Sequence, residues 1–380
     1  MQAVRAAGYR VTVLGADLVG KEERATRRRK KRPGGRKKRE MSTALLRGGL
    51  VGCGFFAQNH LHAWRDVAGA EIVAVCDLDL DKARTAASTW GIRGIYQELP
   101  AMLARESLDF VDVVTQPATH RALVEFVAQQ RVPVICQKPM AFALEDARAM
   151  VAACAHAGVP FMVHENFRWQ APMRAVRDAA AGIGPLSFGR ISWRIGHDIY
   201  ANQPYLAQEP RLVIADMGVH LLDLARFFMG EMTRVYCQAV HSDPRVVGED
   251  QATVMLRTVN GATCVVELSY FSQQAAELFP QTLVHLEGRD GSVSLGADFE
   301  LSVRVRDAVS RTHVGAPAHS WSVPPFAAIQ DSVFNIQQHW ADSLREGRIP
   351  ETSGADNLRT LALVDAAYES AARGTAIAIA

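Results

Sequence analysis

Two polar residues in the second half of the chain have the types and spacing of an acid–base pair. Asp216 and His220 stand four positions apart in ADMGVHLLD, and a helix that begins there would place both side chains on one side. A carboxylate tunes and orients a neighbouring imidazole for proton transfer near neutral pH. For this motif alone, the alternative is an aspartate that caps the helix and a partly buried histidine.

Two further polar segments follow predicted strands. Gln137 and Lys138 follow the run VPVIC, whereas Thr115, Gln116, Pro117 and His120 follow FVDVV. Parallel sheets bind ligands at the carboxyl ends of their strands, where a lysine could stabilise a developing negative charge. The alternatives are a solvated Lys138 and a His120 that simply lies in the first turn of the next helix.

A glycine-rich turn predicts a dinucleotide site. It runs through Gly52, Cys53, Gly54, Phe55, Phe56 and Ala57, and Asp77 stands 23 residues after Gly54 at the end of the next strand. Gly52 permits the tight turn, Gly54 lets the backbone approach a pyrophosphate, and Ala57 allows close helix packing. The helix N-terminus would hold the phosphates, and Asp77 would bind the ribose hydroxyls. Because Asp77 would repel a 2′-phosphate and no arginine follows it directly, the sequence favours NAD, with NADP possible.

Alternating strands and helices must position these groups. Apolar, β-branched runs lie at 50–51, 71–77, 110–115, 132–136 and 159–163. Segments with helical periodicity lie between them, at 57–68, 80–90, 118–130 and 143–157. This alternation is typical of a parallel sheet covered on both faces. We predict a Rossmann dinucleotide-binding domain over 46–165.

The pattern changes after Asn166. Long β-rich stretches replace the short runs, and Asn260-Gly261 between two of them is a strong hairpin signal. Helical segments lie at 171–181, 219–229, 330–346 and 355–373. We predict an α/β fold whose second domain, 166–376, contains a large open, mainly antiparallel sheet. Segment 303–326 is the least regular, and we expect a mobile loop there.

The composition excludes several classes of protein. With 48% hydrophobic and 22% charged residues, the 380-residue chain is typical of a soluble globular protein with two or three domains. No run approaches the ~18 consecutive apolar residues of a membrane span, which excludes integral membrane proteins. The six cysteines form no C-x-x-C pair, so we expect buried free thiols in the cytoplasm and no metal site.

Positive charge is concentrated at the start of the chain. Residues 1–40 contain 14 Lys or Arg and four acidic residues, a net charge of +10, while the remainder carries −8. The sequence from Met41 onward is typical of a domain that begins with its first strand. We therefore interpret 1–40 as an extension without structure of its own that the function does not need. A basic arm that binds nucleic acid is the alternative, although the acidic remainder has no such signature.

Together these segments resemble the Gfo/Idh/MocA family, named for glucose–fructose oxidoreductase, inositol dehydrogenase and a rhizopine-catabolism protein. The resemblance covers nearly all of 47–376. It is carried by the glycine turn, the T-x-P-x-x-H-like motif at 115–120, Lys138-Pro139, the N-x-R-x-x-x-P motif of Asn166, Arg168 and Pro172, and D-x-G-x-H at 216–220. The family's E-K-P glutamate is Gln137 here, and its T-P-x-x-x-H reads TQPATH.

The resemblance implies an NAD(P)-dependent oxidoreductase that acts on a sugar, anhydrosugar or cyclitol. Lys138, Asp216 and His220 would be catalytic. His220 would take the hydroxyl proton, Asp216 would orient His220 or bind an adjacent hydroxyl, and Lys138 would donate to the reacting oxygen. Asn166 and Arg168 would join these three in binding substrate. Cofactor contacts would come from the glycine turn, Asp77, Thr115, Gln116, Pro117, His120, Gln137 and Lys138, and sugar contacts from Trp193, Arg194, His197, Tyr200 and Tyr205.

The resemblance leaves two alternative functions open. The same fold hosts glycosidases that use bound NAD for a transient oxidation, and a catalytically silent dinucleotide-binding regulator is the second alternative. Presence of Lys138, Asp216 and His220 argues against a silent protein. The resemblance also implies a homo-oligomer, a dimer or tetramer, that assembles through the C-terminal sheet.

Overall fold

A parallel sheet flanked by helices forms the N-terminal half of the protein. The structure, a computed structural model, describes residues 45–379 and two short strands near the start, Arg5–Ala6 (β1) and Tyr9–Arg10 (β2). Apart from these strands, residues 1–40 lie outside the described residues. Their lack of structure therefore stays a prediction.

The N-terminal sheet has six parallel strands in the order β5-β4-β3-β6-β7-β8. The strands are Leu46–Val51 (β3), Ala70–Cys76 (β4), Gly94–Tyr96 (β5), Phe110–Val113 (β6), Val134–Gln137 (β7) and Phe161–His164 (β8). The helices are Ala57–Asp66 (α1), Leu80–Trp90 (α2), Leu99–Arg105 (α3), Pro117–Gln129 (α4) and Leu144–Ala157 (α5). Every residue of β6, β7 and β8 is buried, as expected for a sheet covered on both faces. The predicted Rossmann fold is confirmed.

Local sequence signals set the ends of these helices. The Asp79 carboxylate accepts hydrogen bonds from the N–H groups of Asp81 and Lys82, which caps the start of α2. Gly91 and Gly158 follow α2 and α5 with φ of 68° and 69°, a left-handed conformation that glycine adopts without steric cost. The predicted helices at 80–90 and 143–157 therefore agree closely with the structure.

A nine-stranded sheet forms the second half, in the order β16-β15-β14-β13-β9-β12-β11-β10-β17. Only β9 and β12 pair in parallel; the other neighbours are antiparallel. The strands are Leu186–Arg194 (β9), Met232–Val240 (β10), Gln251–Thr258 (β11), Thr263–Ser269 (β12), Leu283–Gly288 (β13), Gly291–Leu295 (β14), Glu300–Val305 (β15), Ala308–His313 (β16) and Ile377–Ala378 (β17). The open, mainly antiparallel sheet is confirmed.

Helices cover one face of this sheet. The helices of this half are Ala171–Ala180 (α6), Val219–Met229 (α7), Ala327–Glu346 (α8) and Gly354–Arg373 (α9). Of these, α6, α7 and α9 pack on the sheet. Along β11, Val254 and Leu256 are buried whereas Thr253, Met255 and Arg257 are exposed. Because side chains alternate between the faces of a strand, the exposed set forms an uncovered outer face within residues 45–379.

Segment 303–326 differs from the expected mobile loop. Residues 300–313 form β15 and β16, an antiparallel hairpin at the edge of the sheet. All of β16 is exposed, so it lacks the alternation of apolar and polar residues that marks a half-buried strand. The sequence patterns also miss the short elements β5 and α3.

Two helices near the C-terminus pack against the N-terminal half. Helix α8 lies on α1, where Ile336 and Trp340 join the apolar cluster of Leu61 and Trp64, and α9 packs on α5. These contacts bury apolar surface and hold the two sheets in one arrangement.

The six cysteines are free and buried, which confirms the expected thiols. Among residues 45–379, no helix combines the length and apolar character needed to cross a membrane.

Candidate active site

Lys138 and Asp216 form an ion pair where the two halves of the chain meet. Lys138 follows β7 directly, and Asp216 lies in a π-helical turn, Ile214–Gly218, that continues into α7. The Lys138 Nζ donates to Asp216 Oδ1 at 2.8 Å and to the Asp216 carbonyl oxygen at 3.1 Å. The two side chains are 19% and 25% exposed, so a small molecule can reach them.

Tyr270 holds the other oxygen of Asp216. Its hydroxyl, directly after β12, donates to Asp216 Oδ2. Burial opposes the charge of Lys138, but the Asp216 carboxylate outweighs that cost and raises the pKa of Lys138. Burial also disfavours the Asp216 anion, yet Lys138 and Tyr270 lower the pKa of Asp216. The pair is therefore charged at neutral pH, and its ammonium group can donate to a substrate oxygen.

The imidazole of His220 is oriented by Glu165. His220 Nδ1 contacts Glu165 Oε1, and the ring stacks on Phe167 with centroids 3.9 Å apart. Among residues 45–379, no hydrogen bond joins His220 to Asp216, which corrects the expected contact between them. The physical reason is that Lys138 and Tyr270 already engage Asp216, and the i→i+5 bonds of the π turn change the helical register before His220.

Burial shifts the two partners of this pair in opposite directions. It raises the pKa of Glu165 to about 7, against the opposing effects of Lys138 and Arg168. Burial and then the charge of Lys138 lower the pKa of His220 well below its ordinary value. His220 is therefore neutral near pH 7, while Glu165 can be found in either protonation state.

The state of Glu165 decides which nitrogen of His220 carries the proton. An ionised Glu165 accepts from Nδ1–H and leaves a lone pair on Nε2, whereas a protonated Glu165 donates to Nδ1 and leaves the proton on Nε2. Nε2 makes no hydrogen bond within residues 45–379. His220 can thus accept a proton through Nε2 only when Glu165 is ionised.

The turn from Gly52 to Ala57 has room for a pyrophosphate. Gly52 has φ of 95°, and a Cβ there would lie 2.5 Å from the Val114 carbonyl oxygen, so only glycine fits. A Cβ on Gly54 would meet nothing within 4 Å, which shows open space beside the turn. Among residues 45–379, no side chain caps the start of α1, so its N–H groups are available to an anion.

Asp77 supports the same turn. Its Oδ2 accepts from the Cys53 N–H at 2.7 Å and its Oδ1 from the Asp79 N–H at 2.9 Å. A carboxylate has lone pairs left after two such bonds. The nearby Asp79 and Asp81 are each paired with a cation, Lys82 and Arg84. Asp77 fits a dinucleotide whose ribose carries free hydroxyls. Phe55 is exposed, Phe56 is partly buried and Ala57 is buried against the sheet.

The segment after β6 is only partly available to a cofactor. Thr115 lies beside the glycine turn, since a Cβ on Gly52 would come within 2.8 Å of its Cγ2, and Gln116 and Pro117 are exposed or partly exposed. His120, in contrast, is fully buried. Its Nε2 contacts the Thr115 carbonyl oxygen at 3.0 Å and its Nδ1 those of the two residues after Lys138, at 3.1 and 3.2 Å. The expected cofactor contact of His120 is therefore replaced by a structural one.

Gln137 also differs from the expected cofactor contact. Its side chain is buried, and its Oε1 accepts from the Lys138 N–H at 2.6 Å. Its Nε2 contacts His60 Nε2 at 3.2 Å. Both ends of the amide are thus engaged by the chain itself.

Asn166 and Arg168 face the C-terminal helices. Arg168 is buried and pairs with Asp223 of α7, with Nε to Oδ2 at 2.6 Å, and with Asp356 of α9 at 3.1 Å. Asn166 Nδ2 donates to Ser332 Oγ of α8 at 2.6 Å. The expected substrate contact of Arg168 is therefore corrected, because buried acidic partners already engage its guanidinium. The substrate contact of Asn166 stays a prediction, because Ser332 engages only its amide nitrogen.

Tyr205 is the best placed of the residues expected to contact a sugar. It is 47% exposed, and after burial itself, the Asp216 charge contributes most to its raised pKa, so it lies near the ion pair. The Tyr200 hydroxyl is buried and has no hydrogen-bond partner among residues 45–379.

The other three residues expected to contact a sugar are Trp193, Arg194 and His197. Each is either buried or in contact with another side chain. Trp193 is buried in the core. Arg194 donates to Gln251 at 3.3 Å, and His197 stacks on Phe279 with centroids 4.3 Å apart. Of these, only His197 is exposed.

Sequence reasoning gave no role to two residues of the site. Glu165 directly follows β8, and the end of a parallel strand was the signal that singled out Lys138; the same signal could have found it. Tyr270 follows β12, which has one parallel and one antiparallel neighbour, and no motif marks it. The five residues Lys138, Glu165, Asp216, His220 and Tyr270 are called the Lys138 cluster below.

Two family models match the chain. Residues 46–165 match one described as "Oxidoreductase family, NAD-binding Rossmann fold". Residues 157–294 match the "GFO/IDH/MocA C-terminal domain".

Curated proteins and solved structures are similar over most of the chain. A D-apiose dehydrogenase of Paraburkholderia graminis is 50% identical over 335 residues, 87% of this chain and 89% of that protein. A D-apiose dehydrogenase of Rhizobium rhizogenes is 45% identical, covering 89% of this chain and 99% of that one. The crystal structure of an oxidoreductase from Agrobacterium radiobacter with NAD+, L-tartaric acid and magnesium is 45% identical with a TM-score of 0.86, over 88% of this chain and 98% of that chain.

Proposed function

The chain belongs to the GFO/IDH/MocA family of oxidoreductases, and we propose that it is a D-apiose dehydrogenase. It is an NAD-dependent oxidoreductase that transfers a hydride between nicotinamide and a hydroxyl-bearing carbon of a sugar-type substrate. The observation that carries the choice of D-apiose is the 50% identity, over 335 residues, to a protein of that name.

In the proposed reaction, the Lys138 cluster handles the proton and the charge of the reacting hydroxyl. When bound, the nicotinamide would supply the hydride acceptor for substrate oxidation. His220 Nε2 takes the hydroxyl proton, and the Lys138 ammonium donates a hydrogen bond to the oxygen while its negative charge develops. In the reverse direction, His220 returns the proton to the new hydroxyl.

Asp216 and Glu165 support these two groups. Asp216 holds the Lys138 ammonium in place, at 2.8 Å, and its carboxylate can also accept a hydrogen bond from a neighbouring substrate hydroxyl. Glu165 orients His220 and stabilises the imidazolium that forms when Nε2 takes the proton. Tyr205, exposed next to the ion pair, is the proposed sugar contact.

The proposed cofactor is NAD in preference to NADP. The pyrophosphate would bind to the turn and to the start of α1, and the ribose hydroxyls to Asp77. A 2′-phosphate would meet the negative charge of Asp77, whereas Asp79 and Asp81 are each paired with a cation, Lys82 and Arg84. The proposed contacts are Gly52, Gly54, Phe55, Phe56, Ala57, Asp77, Thr115, Gln116, Pro117 and the Lys138 ammonium.

The proposed domains divide these tasks. Residues 46–165 bind the dinucleotide, 166–376 bind substrate, and 1–40 contribute to neither. A chain that begins at Met41 should keep the melting temperature and turnover of the full chain, and a large loss of either would contradict the division.

We also propose a homo-oligomer that assembles through the uncovered outer face of the nine-stranded sheet. Support comes from the apolar side chains exposed there, such as Met255 at 49% and Val240 at 50%, because exposed apolar surface of this kind favours association. Light scattering should report a dimer or tetramer that Met255→Asp weakens; a monomeric wild type would contradict it. The proposed location is the cytoplasm, supported by the six unpaired cysteines.

The function is tested by mixing purified protein with NAD and D-apiose and following nicotinamide reduction. Inositols, D-xylose and anhydrosugars serve as competing substrates. D-apiose should give the highest kcat/KM. If another polyol is preferred, the substrate proposal is wrong while the dehydrogenase activity stands.

The two alternative functions, an NAD-dependent glycosidase and a catalytically silent regulator, gain no support from the comparisons with known proteins. A synthetic aryl glycoside separates the glycosidase alternative, because only a glycosidase would release aglycone without accumulating NADH. A silent regulator would bind NADH and reduce no NAD with any substrate.

A further inference from the structure

A buried chain of hydrogen bonds leads from the sheet of the Rossmann domain to the main chain of Lys138. Asp112 Oδ2 contacts His60 Nδ1 at 2.8 Å. The other nitrogen of His60 contacts the Gln137 amide nitrogen at 3.2 Å, and the amide oxygen accepts from the Lys138 N–H at 2.6 Å. His60 and Asp112 are 0% exposed and Gln137 is 8% exposed, so none of the three can reach a substrate.

The chain permits one arrangement of donors and acceptors. The Lys138 N–H can only donate, so Gln137 must present its amide oxygen to it. The amide NH₂ then faces His60, where it needs a lone pair on Nε2. The proton of the imidazole therefore lies on Nδ1 and is donated to the Asp112 carboxylate. The orientation of the Gln137 amide and the tautomer of His60 therefore both follow from the main-chain N–H of Lys138.

We propose that Gln137 is a positioning residue whose amide oxygen, held by His60 and Asp112, fixes the main chain at Lys138. This inference rests on the proposed function, because it gives Lys138 the role described there. His120 engages the carbonyl oxygens of the two residues after Lys138. The main chain that carries the ammonium group is thus anchored on both sides.

The chain also ties Lys138 to the proposed cofactor site. His60 lies in the first turn of α1, the helix whose start would hold the pyrophosphate. Gln137 ends β7. The three side chains therefore set the distance between the dinucleotide turn and Lys138. A displacement of ~1 Å at a reacting group can cost up to ~100-fold in rate.

A glutamine at position 137 can donate from its amide NH₂ to the lone pair on His60 Nε2. A carboxylate in its place would bring a second acceptor against the Nε2 lone pair, and a proton would have to be added between them. Gln137→Glu nevertheless keeps an acceptor for the Lys138 N–H, whereas Gln137→Leu offers none. The two variants separate the loss of this acceptor from the change in charge.

The experiment compares both variants with Trp64→Phe in the full-length protein. Trp64 Nε1 donates to the same Asp112 oxygen at 2.7 Å, so this control removes a buried hydrogen bond but leaves the contacts of Gln137 intact. We expect Gln137→Leu to lower kcat by about 10- to 100-fold with unchanged NADH binding. Gln137→Glu should lose less, and Trp64→Phe should lower the melting temperature without slowing turnover.

A second readout does not depend on activity. In ¹⁵N-histidine spectra of the resting protein, the His60 signal, assigned by its absence in His60→Gln, should show a protonated Nδ1 and an unprotonated Nε2. The opposite tautomer overturns the inference, as does a Gln137→Leu variant with normal kcat or one no slower than Trp64→Phe. If the wild type oxidises no polyol, the proposed function fails, and the tautomer still decides whether the chain of bonds is as described.

Discussion

His220 and Glu165 stand 55 residues apart in sequence, yet His220 Nδ1 contacts Glu165 Oε1 in a buried pair. The contact joins the first turn of α7 to the end of β8, and therefore the C-terminal half of the protein to the Rossmann sheet. It also makes the basicity of His220 Nε2 depend on a carboxyl group that sugar and cofactor need not touch.

Oxidation should therefore depend on pH through Glu165. Burial raises the pKa of this carboxyl to about 7, and His220 can accept a proton only when Glu165 is ionised, so kcat should rise with pH through about 7. In Glu165→Gln, the amide oxygen can still accept from Nδ1–H, and this pH limb should disappear. Turnover above pH 8 should fall by at least about 10-fold because the imidazolium loses its counter-charge.

The charged groups around Glu165 define the control. Lys138 and Arg168 oppose the effect of burial on its pKa, and both remain charged across this range. A pH limb of unchanged position in Glu165→Gln would show that another group titrates, and would remove Glu165 from the mechanism.

The same substitution should stabilise the folded protein at neutral and higher pH. The folded-state pKa of Glu165 is raised from 4.5 to about 7, so its contribution to stability is fully present below pH 4.5 and is lost as pH rises to about 7. Glu165→Gln has no such loss. Its free energy of unfolding relative to wild type, measured by urea titration, should therefore increase between these pH values. A constant difference would contradict the assigned pKa.

Arg168 should act on stability. Its guanidinium is 6% exposed and pairs with a fully buried Asp223. Arg168→Met leaves this carboxylate with the Thr360 hydroxyl and the more distant Arg226, at 3.8 Å. The expected loss is about 3–5 kcal/mol in the free energy of unfolding. Arg177 is the matched control, since it is 51% exposed and lies 3.9 Å from Glu351; Arg177→Met should cost at most about 1 kcal/mol. If Arg168→Met has normal stability and a raised substrate KM, Arg168 contacts the substrate after all, as the sequence predicts.

Asp77 should set the choice of cofactor. Asp77→Ser removes the acceptor for the ribose hydroxyls and the charge that would oppose a 2′-phosphate. NAD affinity should fall and the preference over NADP should narrow, as measured by kcat/KM for both nucleotides. A wild type that already uses NADP more efficiently would show that Asp77 has another role.

Much of the fold follows from local patterns in the sequence. The glycine turn was predicted at its place, and so were the helices at 80–90 and 143–157. Their ends depend on residues within one turn of each other, namely the Asp79 cap of α2 and the glycines that follow α2 and α5. The same holds for Lys138, because strand-end position alone suggests a site. The β15–β16 hairpin lacked such a pattern, since all of β16 is exposed.

The contacts of the site depend on long-range packing and could not be predicted in this way. Glu165 and His220 are in contact only because β8 and α7 pack together. Arg168 points toward α7 and α9 because its guanidinium pairs with Asp223 and Asp356 of those helices. Gln137 and His60 are 77 positions apart. A motif records which residue types are present, whereas the fold decides which of them face each other.

The most direct test of the mechanism is the rate of hydride transfer, measured by rapid mixing, in Lys138→Ala, His220→Ala and the double variant. NADH binding by fluorescence and thermal melting serve as controls for the cofactor site and the fold. If both residues act on the reacting hydroxyl, each single variant should lose at least ~100-fold in this step. The double variant should lose far less than the product of the two losses, because the residues act on the same proton and oxygen. Near-normal hydride transfer in both single variants, with folding and NADH binding intact, would contradict the account.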